Sequence, residues 1–315
     1  SSIAFALIAA TLVHTSFMQP FTIPTSSLEK TLLVGDYLFV SKFHYGARVP
    51  STVIAAPMVH DSLPLTGTAS YLKQPQLPYT RLPGIQKIKN NDIVCFNWPA
   101  DTLALMWGDK SGKFTYKPVD KKTNYVKRCV GIAGDSIEMK DGYFYINGKK
   151  NSLPDRAKLQ FYYTYESKKP ISQNTYPKFL LDKERTGVYK ILTEYWQNPK
   201  VQSAIKENGN LTKIASDSLY TEVAGGVNPD FARRLKMLSV DNKININLTE
   251  EEAIRLKTYP LTKSLTKIIH DADNAIFPHV KELGWSQDNF GPIYIPEAGA
   301  TVKLDVKSLP FYEQI

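Results

Sequence analysis

The chain has 315 residues, 43% of them hydrophobic, and a formal charge of +9. That length buries a sizeable core, as one large domain or two smaller ones. The lysines are scattered and form no dense basic block, which argues against nucleic acid as a partner and leaves anionic lipid compatible. No CxxC, HExxH or GxGxxG string occurs and the five histidines are dispersed, so metal and dinucleotide chemistry have no support.

The chain opens on SSIAFALIAATLVHTSFM, which holds no Asp, Glu, Lys or Arg. Roughly 20 helical residues cross a hydrocarbon core of about 30 Å, so the run is slightly short for a span. A cleavable leader is the rival reading. It lacks a basic start, and Pro20, Phe21 and Ile23 stand where small cleavage-site residues belong. A buried core helix is the third reading. The expectation is a transmembrane anchor over 1–19, with Phe17, Met18, Phe21 and Ile23 continuing an apolar surface at the bilayer.

GDYLFVSKF reads as a strand introduced by the Gly35-Asp36 turn. Residues 48–90 are proline-rich without helical period and read as an irregular excursion. NDIVCFNWP and NYVKRCVG are further strands, and Cys95 and Cys129 within them read as buried free thiols. SIEMK and YFYIN flank Asp141-Gly142, a strong hairpin signal, and Asn147-Gly148 marks the next turn. From 151 to 285 helical stretches such as FARRLKML and TEEEAIRLKTY appear, the second opened by a Thr249/Glu252 capping box. Strand-like text returns in PIYIP and TVKLDV. The organisation expected is a β core over 20–150, an inserted α+β module over 151–285, and a return to the core over 286–315.

Two segments carry candidate chemistry: IPTSSLEKTL, with Ser27, and YVKRCVGIAGDSIE, with Lys127 inside a strand. Alternation puts Tyr125, Lys127 and Cys129 on one face of that strand and Val126, Arg128 and Val130 on the other. A serine hydroxyl needs a base to become a nucleophile, and a neutral lysine can be that base. The reference lysine titrates near 10.4, so such a role calls for a dry, apolar surrounding. The plainer readings stand beside this. Ser26 with Glu29 fits a helix-capping box, a strand lysine commonly faces solvent, Asp36 and Asp135 follow glycines in ordinary turns, and His44 is the one histidine near the serines.

Taken together, IPTSSLEKTLLVGDYLFVSKFHYG, NDIVCFNWP and YVKRCVGIAGDSIEMKDGYFYINGK resemble, in order, the boxes of bacterial type I signal peptidases, membrane-anchored serine proteases with a Ser/Lys dyad. The resemblance covers residues 1–150. It implies Ser27 as nucleophile and Lys127 as general base, with the Thr25 hydroxyl and the Ser27 backbone N–H forming an oxyanion hole. Ile23, Pro24, Leu28, Leu32, Tyr125 and Val126 then fall on positions that line shallow pockets for small side chains.

The fold implied is a mainly antiparallel β catalytic core with an N-terminal transmembrane helix and an inserted α+β module. No cofactor and no metal are implied. The partners implied are the signal peptides of pre-proteins and membrane lipid, at the extracytoplasmic face of the bacterial cytoplasmic membrane. Oligomeric state is left open. Leu28 replaces a methionine of the family pattern, Lys30 a proline and Ala133 a proline of the GxPGD turn. The later Gly-Asp-Asn-Arg box is absent, DNFGPIYIPEAG not matching it, and the expectation is that the chain ends before it. Two alternatives remain at this point: an inactive membrane-anchored binding module of the same fold, and a self-cleaving Ser/Lys protein.

Overall fold

A computed structural model of the chain describes residues 2–57, 59, 62, 63, 66–101, 114–172 and 174–312. The expectations for 1–19, 48–90 and 286–315 each extend onto a few residues outside this set. The chain is mainly antiparallel β with short helices, in two compact units. The first comprises Ser1–Glu138, Phe144–Ala157 and Gly291–Tyr312; the second includes Met139–Tyr143 and Lys158–Phe290.

In the first unit the apolar opening forms helix α1, Ser2–Ser16, with Ile3, Phe5, Ile8 and Leu12 exposed. Its 15 residues rise about 22 Å, short of a bilayer core. Among the described residues no helix is long and apolar enough to cross a membrane. Of the span expected over 1–19, Ser2–Ser16 is helix and Met18 already belongs to a strand. The helix stops because Met18–Thr22 (β1) pairs antiparallel with Tyr37–Ser41 (β2), from Met18 opposite Ser41 to Thr22 opposite Tyr37. The Lys42 N–H adds a bond to the Phe17 carbonyl at 2.8 Å.

The loop between β1 and β2 is closed at its neck. Ile23 N–H donates to the Asp36 carbonyl and Gly35 N–H to the Ile23 carbonyl, both at 2.9 Å. Asp36 Oδ2 also accepts from the Leu33 N–H at 2.8 Å. Ile23 and Leu28 are the buried side chains of this loop. Within it Ser26–Leu28 forms a single 3-10 turn, and Lys30 sits at φ 72°. Proline is locked near φ −65°, so the family's proline at this position is geometrically barred here.

Ile93–Asn97 (β3) pairs with Asn124–Arg128 (β4), with Val94 opposite Lys127 and Phe96 opposite Tyr125. Cys95 and Cys129 are free and half-buried, less covered than their apolar runs suggest. Ser136–Lys140 (β5) turns through Asp141 (φ 50°) and Gly142 (φ 78°) into Tyr143–Ile146 (β6). Two consecutive left-handed residues are what a two-residue hairpin requires, and Asp-Gly supplies them. Lys149–Lys150 (β7) pairs with β6, and the last strand, Phe290–Tyr294, lies beside β5. TVKLDV is not a strand. Asp305 Oδ1 instead accepts from the Lys307 and Ser308 N–H groups, which bends the chain there.

The excursion over 48–90 is irregular, yet it folds back on itself through isolated bridges such as Arg48 with Arg81, Thr52 with Gln76 and Ala55 with Tyr71. Asp120 pins it, accepting from Ser51 Oγ and from both the N–H and the hydroxyl of Thr52. Asp135 does the same for the turns around β3, β5 and β6. Its carboxylate accepts from the Ile132 N–H at 3.0 Å, Asn90 Nδ2 at 3.0 Å and Asn147 Nδ2 at 2.8 Å. These donors, the Ile132 N–H first, hold the Asp135 carboxyl below its ordinary range.

The second unit is a six-stranded antiparallel sheet. Its strands are β8 (Gln160–Ser167), β9 (Arg185–Leu192), β10 (Gly209–Ser216), β11 (Tyr220–Val227), β12 (Leu238–Thr249) and β13 (Thr262–Lys267), ordered β10-β11-β9-β12-β8-β13. One core gathers Tyr165, Leu180, Ile246, Leu248 and Leu256, the last from helix Glu250–Lys257. The other gathers Ile191, Ile205, Val223 and Phe231. The Thr249/Glu252 capping box is present in both directions, so the first turn of Glu250–Lys257 starts with its N–H groups satisfied.

Two outcomes follow from this architecture. Asp135→Asn removes a charged acceptor of three bonds and lowers unfolding free energy by about 1–3 kcal/mol near neutral pH. Because the native carboxyl is depressed, that contribution is present above the unfolded value near 3.9 and is lost as pH falls through the native one. Denaturant titrations of parent and variant converge in acid. Lys30→Pro destabilises by more than about 1 kcal/mol, whereas Lys30→Gly stays near the parent, since glycine adopts positive φ freely. Equal denaturation midpoints for Lys30→Pro and the parent are the contrary result.

Candidate active site

The closed loop between β1 and β2 presents a turn whose outer residues, Pro24, Thr25, Ser26 and Ser27, are all exposed. Ile23 and Leu28, 5% and 8% exposed, are buried as the anchors of the turn, so they cover its underside instead of lining open surface. Thr25 precedes the turn in an extended conformation, with no side-chain cap bond. Ser26 and Glu29 make no capping box: they meet only through the Glu29 N–H and the Ser26 carbonyl, at 2.9 Å. The turn is therefore held by backbone bonds, and both serine hydroxyls are left to other uses. Thr31 and Leu32 N–H groups complete it on the Leu28 carbonyl, and Leu32 is half-buried.

Lys127 lies on β4, half-buried, and its Nζ donates to Ser27 Oγ at 2.6 Å across a separation of 100 residues. The strand's alternation decides what surrounds the amine. Tyr125 shares its face, with the ring centroid 5.9 Å from Nζ, and Val94 and Phe96 stand opposite on β3. Trp98 and Phe96 pack on Tyr125, at centroid distances of 5.4 and 6.4 Å. The Tyr125 ring thus stands on one side of the amine and the exposed serine turn on the other. Val126 falls on the opposite face of β4 from Lys127, apart from the pair. Val94 and Phe96 were not foreseen, because the β3–β4 register that brings them across from Lys127 and Tyr125 is not written in either segment alone.

His44 is not a partner of Ser27. Its Nδ1 lies 2.5 Å from Ser41 Oγ, and the ring stacks on Phe43. Among the described residues no group of His, Cys, Asp and Glu is arranged to hold a metal ion. What the site offers chemically is one exposed hydroxyl in hydrogen-bond reach of one amine, on a turn held by backbone bonds. Those are the elements of acyl transfer to serine.

The curated signal peptidase I of Rickettsia felis is 30% identical over 149 residues, 47% of this chain and 42% of that protein. That of Rickettsia canadensis is 29% identical over 168 residues, 53% of this chain and 48% of that protein. That of Rickettsia typhi is 28% identical over 150 residues, 48% and 43% respectively. The chain spans less than half the length of these curated relatives. The family model described as signal peptidase, peptidase S26, matches residues 1–202, well over half of the chain and inclusive of both Ser27 and Lys127, so the chain belongs to the signal peptidase family.

Proposed function

We propose that this chain carries the catalytic centre of a serine endopeptidase that removes N-terminal signal peptides from exported pre-proteins. Ser27 is the nucleophile and Lys127 the general base. The observation that carries the reading is the 2.6 Å contact between Ser27 Oγ and Lys127 Nζ, in a chain of this family. Side chains so far apart in sequence meet here at bonding distance, with no carboxylate in the contact to claim the ammonium.

In the reaction, the neutral amine of Lys127 takes the proton of Ser27 as Oγ attacks the carbonyl carbon of the scissile peptide bond. The Thr25 hydroxyl and the Ser27 N–H stabilise the oxyanion, and the proton passes from Lys127 to the leaving amine. Water then attacks the acyl-enzyme, giving its proton to Lys127, and Ser27 Oγ leaves with a proton returned. The base must be the free amine, so water has to be kept from it. The Tyr125 ring stands on one side, and bound peptide closes the exposed side over Ser27. Pro24, Leu32 and the Tyr125 ring are placed to meet small side chains of that peptide, supported from beneath by Ile23 and Leu28.

The membrane setting rests on a second observation. Along α1 and the β1–β2 hairpin, Ile3, Phe5, Ile8, Leu12, Met18 and Phe39 are all exposed, apolar side chains suited to lipid contact. We place it at the extracytoplasmic surface of the bacterial cytoplasmic membrane, where emerging pre-proteins are presented.

The full chain in detergent or liposomes, given a pre-protein with small residues first and third before the cut, tests this directly. Ser27→Ala and Lys127→Ala each lower kcat/KM by about 10³-fold or more, while Ser26→Ala stays within a few-fold of the parent. Undiminished cleavage by Ser27→Ala removes the assignment. An inert parent chain leaves the binding-module reading in its place.

A further inference from the structure

Lys127 and Arg128 are consecutive on β4, so their side chains leave the strand on opposite faces. The serine turn grips both. Ser27 meets Lys127 on one face, and four residues later Thr31 Oγ1 accepts from Arg128 Nη2 at 3.0 Å on the other. The Thr31 hydroxyl passes the chain of bonds on, donating to the Arg156 carbonyl at 3.1 Å. Arg128 Nη1 donates to the Asn91 carbonyl at 2.8 Å. Asn91, at φ 73°, in turn holds the same downstream segment through Nδ2, which donates to Asn151 Oδ1 and the Ser152 carbonyl. Two stretches of chain, at Thr31 and Asn91, meet on one guanidinium, and a third, from Asn151 to Arg156, is tied to both of them.

The turn has need of such a tie. Its residues from Pro24 to Ser27 are exposed, so little packing fixes where the Ser27 hydroxyl stands. The Thr31 N–H bonds the carbonyl of Leu28, the residue directly after Ser27, at 3.0 Å. A displacement of the Thr31 hydroxyl is thereby passed to Ser27 through a short, bonded path. Reaction geometry is unforgiving at this scale: about 1 Å of misplacement can cost roughly 10²-fold in rate.

We propose that Thr31 and Arg128 are positioning residues that straddle β4 and hold Ser27 Oγ within reach of Lys127 Nζ. This rests on the peptidase reading above. The test uses the full chain with Thr31→Val, which deletes the hydroxyl at nearly constant volume, and Thr31→Ser, which keeps it. The expected result is a kcat about 10- to 100-fold lower in Thr31→Val with KM within about twofold, and Thr31→Ser within about threefold of the parent.

Thermal midpoints of the two variants are compared alongside, and Arg128→Gln, where it folds, should behave as Thr31→Val does. A second readout is acylation of Ser27 by a peptide p-nitrophenyl ester, followed by mass spectrometry: slow in Thr31→Val, near parental in Thr31→Ser. An unchanged kcat in Thr31→Val, a loss confined to KM, or equal impairment of Thr31→Ser overturns the clamp while the peptidase reading stands. A parent chain that is never acylated at Ser27 sinks the peptidase reading itself.

Discussion

A 2.6 Å contact between an exposed hydroxyl and a lysine amine sits at the end of two independent backbone constraints. The loop neck, where the Ile23 N–H donates to the Asp36 carbonyl and the Ile23 carbonyl accepts from the Gly35 N–H, closes the loop that carries Ser27. The β3–β4 ladder sets where Lys127 stands, through the pairing of Val94 with Lys127. Neither constraint involves the hydroxyl or the amine itself, which is what a preorganised contact requires. A rotamer-rich lysine loses entropy when fixed, so its partner has to be held by something else for the contact to persist.

The same geometry accounts for the asymmetry of the site. β4 alternates between a face bearing Tyr125 and Lys127 and a face bearing Val126 and Arg128. The first sets the Tyr125 ring beside the amine on one side and the exposed serine turn on the other. The second is given to structure: burial pulls the Arg128 guanidinium below its ordinary value, and its hydrogen bonds to Asn91 and Thr31 return part of the solvation it loses. One short strand therefore serves the candidate site and the architecture at once because its side-chain period is two.

Much of this was legible in the residues. Asp141-Gly142 specified a hairpin through the left-handed conformations it tolerates, Thr249 with Glu252 specified a helix start through two reciprocal bonds, and the family boxes put Ser27 and Lys127 forward as a pair. What was not legible depends on pairing partners far away in sequence. The apolar run from Ser1 to Met18 reads as a continuous helix, and only β2, some twenty residues on, converts its end at Met18 into a strand. TVKLDV has strand composition, but the Asp305 carboxylate captures local N–H groups and turns the chain. Ile23 and Leu28 carry apolar side chains that suit a pocket wall as well as a loop anchor, and only burial tells the two apart.

The second unit shows why a long insertion is compatible with a demanding site. Each of its two cores is assembled from its own strands and helices, Leu248 and Leu256 in one, Val223 and Phe231 in the other. Its six-stranded sheet is ordered within itself, from β10 to β13. Between β7 and the last strand of the first unit, more than a hundred residues can thus intervene at a closure cost that grows only logarithmically with length. Across that interval Phe290–Tyr294 returns beside β5. Gly291, at φ 96°, makes the approach: an added Cβ would lie 2.7 Å from the Ile137 carbonyl oxygen, so only glycine lets the returning backbone come that near. The sheet that carries Asp135 and its turns is thereby completed by a strand that follows the second unit in sequence.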